Sequence, residues 1–410
     1  MAATWRRVMV PGGFDPAQAA SAAGLQEWLR EQFEANFRYD RIVSEFLVAT
    51  GPTDEGPTLF YTAQEVKPEK LADSTARIFL GVQIGCAQCH DHPNGRWTQD
   101  DFWNYAAFFA RLEQPPAENS NVNRIIENSS GELKVPETDR VAKPMYPGGV
   151  EAEETSLRTR REQLALWVAS RENPYLPIAA SNWTWAHLFG RGLVDPVDDI
   201  GPHNPASHPE LLDELAQYFV KTGYDLRLLI ETVVNSEAYQ LSSRYEKGSP
   251  PTQDLFAVMG VKSMTPEQLY DSLQKVLARR RLTRTAATAR ERFFDPQRQM
   301  FIAKLDSQSR SALEFNAGLP QALMLMNGME IGEATNVEQS SLLIALSAPF
   351  FSDAQRLETI FLATVARTPT EEEQAEFLTL LKDTPKEERQ EMIGDILWAL
   401  LNSSEFALNH

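Results

Sequence analysis

Along most of the chain apolar residues recur at the three-to-four spacing of an amphipathic helix. In "AGLQEWLREQFEANF" they fall at Leu25, Trp28, Leu29 and Phe33, and in "YDRIVSEFLVAT" at Ile42, Val43, Phe46 and Leu47. The second of these ends in turn chemistry at Gly51-Pro52. "KPEKLADSTARIFLGVQIG" predicts another helix, running into a cysteine-bearing turn, with Gly81 and Gly85 letting another part of the structure approach its end closely. Thr98 and Asp101 in "TQDDFWNYAAFFARL" then form a capping-box pattern, with Asp in place of the usual Glu, and open an aromatic-rich helix.

Between Gln114 and Gly149 the periodicity stops. "EQPPAENSNVN" reads as a loop, "RIIENSSGELKV" alternates about Ser129-Ser130-Gly131 like a small hairpin, and "KPMYPGGVEAEE" is a Pro/Gly-rich link. Helical spacing returns with "RREQLALWVAS" and persists to the end in "DILWALLNSSEFALNH". Start signals stand at Ser207 with Glu210, Thr265-Pro266 with Gln268, and Thr370 with Glu373. The expectation is a mainly α protein of two helical domains: 1–113 with the cysteines, a loop, hairpin and linker over 114–157, and 158–410.

A net charge of −18 makes nucleic acid and anionic membrane surfaces poor partners. The exception is the arginine-rich run from Arg279 to Arg298, which reads as a solvated helix face or as a partner for an acidic group such as a haem propionate. No apolar run approaches the ~18 residues that span a bilayer.

The only two cysteines stand in "GCAQCHDHP". Two cysteines cannot build a disulfide framework or a four-thiolate site. Random placement would give C-x-x-C-H with odds below roughly one in ten thousand, so a metal or cofactor is the better explanation. For a covalent c-type haem, one per chain, Cys86 and Cys89 would supply the thioethers and His90 the proximal imidazole. Zinc would use Cys86, Cys89 and His92 rather than His90, plus a distant histidine such as His203 or His208. A plain disulfide or thiol pair is the third reading. A thioredoxin-like site is not expected, because no βαβ pattern flanks the motif.

Opposite His90, the leading candidate for a sixth ligand is His187 in "WTWAHLFGRG", and the weaker one is Met145 in "KPMYPGG". Trp97, Phe102 and Trp103 would wall the haem, Arg96 would pair with a propionate, and His92 with Asp91 would sit behind the proximal ligand. Two strong axial ligands leave outer-sphere electron transfer with a redox partner protein. An open sixth position would make a haem-dependent oxidoreductase acting on a small molecule.

"FLGVQIGCAQCHDHP" with "RWTQDDFWNYAAFFAR" resembles the first of two paired domains of unknown function in secreted, planctomycete-type cytochrome-c-associated proteins. "WAHLFGRGLVDPVDDIGPHNPASHPELLDELAQYFVKTGYDLRLLI", "NSEAYQLSSRY", "LPQALMLMNG" and the terminal "DILWALLNSSEFALNH" resemble the second. The resemblance implies export to the periplasm or outside the cell, and a first domain whose leading segment and signal precede Met1. Where the family commonly follows "HDHP" with an aromatic residue and an aspartate, this chain has Asn94 and Gly95. The family's Asn-Arg-x-Trp retains Asn182 and Trp185, but Trp183 replaces the arginine, so a propionate partner would fall to Arg191 or the arginine-rich run.

Overall fold

The structure is a computed structural model that describes residues 1–10, 16–53, 56–93, 95–115, 123–153, 155, 157–245, 248–276, 295–306 and 324–409. Asn94, and the arginine-rich run from Arg279 to Arg292, lie outside the described residues. Arg298 is described and meets Asp271 at 3.4 Å. The fold is mainly α, with small antiparallel sheets of two or three short strands. Contacts group the chain into two compact units, Met1–Gly260 and Val261–His410.

The first unit contains α1 (Ala2–Met9), α2 (Pro16–Glu34), α3 (Tyr39–Leu47), α4 (Thr58–Ala63), α5 (Pro68–Thr75) and α6 (Gln99–Ala106). These are followed by α7 (Arg160–Val168), α8 (Tyr175–Phe189), α9 (Pro209–Lys221) and α10 (Leu226–Val234). Helix α8 is buried nearly all round, from Leu176 to Phe189, which is what a helix apolar on every face requires. It packs on α9, and α3 packs on α7, so helices from both sides of the 114–157 stretch share this unit. Trp183 is buried with its ring 6.1 Å from that of Trp5.

The small strands differ in detail from the expected hairpin. Strand β3 (Arg124–Glu127) pairs with β1 (Gly51–Pro52) on one edge and β2 (Leu112–Glu113) on the other, with Gly51 opposite Ile125 and Leu112 opposite Glu127. Both edges of β3 are therefore filled, and β4 (Leu133–Lys134) pairs with β5 (Val141–Ala142) instead. Hairpins do occur here, as β4–β5 and as β6 (Met145–Tyr146) with β7 (Val150–Glu151), but not about Ser129-Ser130-Gly131. The carbonyl of Gly131 accepts from Arg111 Nε and Arg160 Nη1.

Beneath the sheet lies Arg161, fully buried. Its guanidinium donates to Glu127 Oε2 at 2.8 and 3.1 Å and to the carbonyls of Leu47 and Ala49, each at 3.0 Å, and lies over the Tyr61 ring. Burial works against its charge, but the Tyr61 and Glu127 side chains outweigh that and hold its pKa above the ordinary value.

The second unit is helical, with β8 (Lys262–Ser263) paired to β9 (Leu408–Asn409). Its helices are α11 (Pro266–Val276), α12 (Pro296–Asp306), α13 (Met329–Thr335), α14 (Ser341–Leu346), α15 (Asp353–Thr364), α16 (Glu371–Asp383), α17 (Arg389–Leu401) and α18 (Ser404–Ala407). They close on a core that includes Leu269, Leu273, Phe361, Leu397 and Leu401. No helix among the described residues is long and apolar enough to cross a membrane.

The expected capping boxes form at Thr98–Asp101, Thr265–Gln268 and Thr370–Glu373. At Ser207–Glu210 none forms. Ser207 turns back to the Leu193 carbonyl through both its amide and its hydroxyl, leaving His208 at the N-cap position with no side-chain capping bond to the helix.

Glu373 is also gripped by Arg367, which in turn holds Glu405 at 2.6 Å. The hydrogen bonds from Arg367 pull the Glu373 pKa down to about 2 from 4.5. A carboxyl whose folded pKa is depressed contributes stability above its unfolded pKa and loses it as pH falls through the folded one. The second unit is therefore expected to weaken between about pH 4.5 and about pH 2. Urea unfolding followed through the single tryptophan of that unit, Trp398, should show the loss in the native chain and a smaller one in Arg367→Met.

Candidate functional site

The cysteine turn is positioned by an interrupted helix. Rather than running straight into the cysteines, α5 loosens into a π-helical turn at Ala76–Leu80 and stops at Gly81, whose φ is +68°. The left-handed conformation ends the helix, and a side chain here would also meet Ile200: a Cβ on Gly81 would lie 2.6 Å from Ile200 Cδ1. The close approaches anticipated at Gly81 and Gly85 are thus made by Ile200 and by Asp73, whose Oδ1 would lie 2.6 Å from a Cβ on Gly85.

After Val82–Ile84 the chain winds into a 3-10 turn, Gly85–Gln88, with Ala87 fully buried and Cys86 and Cys89 exposed as free thiols. The turn is braced from the α6 side. Trp103 Nε1 donates to the Gln88 carbonyl at 3.1 Å, and Gln99 Nε2 donates to the carbonyls of Gln88 and Cys89 at 3.4 and 3.2 Å. Asp91 accepts the Gln99 backbone N–H at 2.9 Å, so its carboxylate anchors the loop to the start of α6.

His90 is exposed, and its Nδ1 lies 2.8 Å from the Asp91 carbonyl oxygen. A carbonyl only accepts, so Nδ1 carries the proton and the lone pair is left on Nε2. That is the tautomer and second hydrogen bond that a metal-ligating histidine uses.

The other wall comes from the segment after α8. Asn182, fully buried, donates to the carbonyls of Val194 and Val197 and accepts the Val194 N–H, fastening this segment to the helix. Asp198 then takes Arg77 Nη1 at 3.2 Å and Gln83 Nε2 at 3.0 Å, and the Ile200 N–H donates to the Gly81 carbonyl at 2.8 Å. Burial works against the charge of Arg77, but the Asp73 and Asp198 carboxylates hold its pKa above the ordinary value. Neither Asp73 nor Asp198 was singled out by sequence reasoning: Asp73 meets Arg77 as an ordinary i, i+4 pair on a helix, and Asp198 meets Arg77 and Gln83 from more than a hundred residues away.

The same segment brings His203 to His92, with ring centroids 5.9 Å apart and His203 Nε2 held by Asp199 Oδ1 at 2.9 Å. Gly95 allows this: a Cβ there would lie 2.8 Å from His92 Nδ1. The zinc reading asked for such a meeting of His92 with a distant histidine. Among the described residues, however, no three or more His, Cys, Asp or Glu side chains converge to hold a metal ion, so the two thiols are not gathered with His92 and His203. His208 lies elsewhere, 5.9 Å from the Phe256 ring.

Arg96 is exposed, stacked 4.7 Å over Trp97 and hydrogen-bonded to the Tyr175 hydroxyl. Trp97 is buried and faces a narrow cleft with Ile84, Tyr105 and Met145, whose free volume is about 10 Å3, enough for one water molecule. A macrocycle would therefore rest on the outside of the turn and not in this cleft. Phe102 is fully buried beside Trp103, so it cannot wall a group bound outside the turn. Met145 reaches the neighbourhood, but its sulfur accepts from Asn104 Nδ2 at 3.1 Å. His187 occupies the last turn of α8, half-buried, eight residues past Ala179, the α8 residue that meets Gly81, or about 12 Å along the axis at 1.5 Å per residue.

Trp97 also begins a run of neighbouring rings: Tyr175 at 6.4 Å, then Trp167 at 6.3 Å, then Tyr146 and Phe108 at 5.2 Å each. The run fastens the loop after the cysteines to α7 and α8.

Residues 4–114 match the family model PSCyt2, and residues 160–284 match PSD1; each is described as a protein of unknown function (DUF1549 and DUF1553). No curated protein and no solved structure matches the chain. The cysteine turn, His90 and His92 fall in the first match, and Asp198, Asp199 and His203 in the second, so the site draws on both. Two stretches of one polypeptide, in this order, are thus similar to the PSCyt2 and PSD1 models, both of unknown function.

Proposed function

We propose that this is a c-type haem protein, with Cys86 and Cys89 as thioether anchors and His90 as proximal ligand, working outside the cytoplasm in electron transfer or small-molecule redox chemistry. One observation carries the reading: on a single braced turn both thiols and His90 are exposed, and the His90 ring is held through Nδ1, which leaves the lone pair on Nε2. Bound there, a haem would supply a one-electron couple or, with an open sixth position, a site for a small molecule. The chain's own part is to hold the turn through Trp103 and Gln99, fix the imidazole tautomer through Asp91, and offer the Arg96 guanidinium at the rim. The partner would be a redox protein or a small molecule, and the setting the periplasm or the exterior, where thioether attachment is made.

Expression in a periplasm equipped for haem attachment should give a red protein whose intact mass is raised by one haem and keeps it after denaturation. Cys86→Ser with Cys89→Ser should abolish the increment. A colourless product with stoichiometric zinc would refute the proposal and leave a zinc- or disulfide-stapled scaffold, a reading that has the pairing of His92 with His203 on its side. A reduced spectrum indifferent to carbon monoxide would select electron transfer over an enzyme. An unchanged spectrum in His187→Ala would remove that residue as the opposite ligand.

A further inference from the structure

The second unit holds a cavity of about 270 Å3, bordered by the first turns of α15 and α17 and lying beyond residue 284, where neither family match reaches. Its floor is apolar: Leu343, Leu346 and Ile393 are all buried. Its rim is cationic, with Arg356, Lys386 and Arg389 against a single carboxylate, Asp353. In a chain of net charge −18, a lining with a surplus of two positive charges is out of keeping with the rest of the surface.

The three cations are not equivalent. Arg356 is committed to the fold: Nη1 donates to Asp353 at 2.7 Å, and Nε and Nη2 donate to the carbonyls of Leu346 and Ala348 at 2.8 and 3.2 Å, closing the end of α14. Asp353 is thereby largely used. Arg389 keeps only a 3.7 Å approach to the other oxygen of Asp353, together with a bond from Nε to the Thr384 carbonyl. Lys386 is exposed at the mouth. Arg389 and Lys386 therefore present positive charge to the cavity, reinforced by the partial positive charge of the two helix starts.

We propose that this cavity binds a small organic anion, a carboxylate or phosphate head on a compact apolar body. Lys386 and Arg389 take the head, while Leu343, Leu346 and Ile393 take the body. The apolar floor distinguishes this from a site for inorganic anions, and the volume suits a small molecule. The proposal stands independently of haem attachment.

Calorimetric titration of the full chain at low ionic strength tests it, with benzoate and phenyl phosphate as probes and acetate and benzyl alcohol as comparators. Benzoate or phenyl phosphate should bind saturably, and the stronger of the two identifies the head group. Acetate and benzyl alcohol should each be weaker by about tenfold or more, and Lys386→Gln with Arg389→Gln should weaken the better probe by about tenfold. Ser347→Trp, at an exposed position on the rim, should block binding without touching either cation. The proposal is overturned if neither probe saturates, if acetate or benzyl alcohol matches the better probe, or if the double variant, folded by circular dichroism, binds like the native chain.

Discussion

Replacing Arg161 with leucine is expected to destabilise the first unit by about 3–5 kcal/mol, the cost of breaking a buried ion pair by removing one partner. Glu127 is only 9% exposed and would be left a buried carboxylate without its cation, the Ala49 carbonyl would lose its donor, and the Leu47 carbonyl would keep only the Tyr61 hydroxyl. Adding Glu127→Leu should restore part of the loss by removing the stranded charge. The Ala49 carbonyl remains without its donor, while that of Leu47 keeps the Tyr61 hydroxyl, so the double variant should stay below the native chain by about 1–3 kcal/mol. Seven of the eight tryptophans lie in residues 1–260, so urea unfolding read by fluorescence reports on this unit. A loss under about 1 kcal/mol in the single variant would mean that Arg161 is not the fastening between α3, the small sheet and α7 that its bonds describe.

Gly192→Ala is the second large expected effect. A Cβ at this position would lie 2.2 Å from the Val194 carbonyl oxygen, 2.9 Å from Val197 Cγ1 and 3.0 Å from Asn182 Oδ1. A backbone carbonyl cannot step aside as a flexible side chain can, so the segment from Val194 must shift and the Asn182 clamp must open. Overpacking costs about 1–3 kcal/mol and a broken buried hydrogen bond about 1–3 kcal/mol more. The consequence reaches the cysteine turn, because Asp198 and Ile200, which hold Arg77 and Gly81, hang from that clamp. Hydrogen exchange should quicken at the amides of Val194 and Ile200 together. Faster exchange at Val194 alone would show that the two ends of the segment are held separately.

Where sequence pattern succeeded, the governing physics is local. The periodicity of Leu25 to Phe33 and of Ile42 to Leu47 corresponds to α2 and α3, and Thr370 with Glu373 caps α16 within four residues. Ser207 with Glu210 carries the same local signal, yet the Leu193 carbonyl, fourteen residues back, takes the Ser207 hydroxyl. The hairpin about Ser129-Ser130-Gly131 failed for a related reason: alternation marks Arg124–Glu127 as a strand, but its neighbours on both edges are chosen by distant segments. Of the site, Cys86, Cys89 and His90 were legible as a spacing, and His203 was one of two histidines named as a distant partner for His92. The Asp198 clamp and the bracing by Gln99 and Trp103 were not legible, because a carboxylate, an amide and an indole acquire those roles only from what the fold sets beside them.

Under the proposed function, the bracing of the cysteine turn bears on how an incoming group would be captured. With the Gln88 and Cys89 carbonyls tied to α6 and the His90 ring tied to its own backbone, the turn has already surrendered most of its conformational entropy before anything binds. A ligand arriving there meets a pre-organised surface. Loosening that surface, for example with Gln99→Ala, should slow capture even though no atom that touches the ligand is changed.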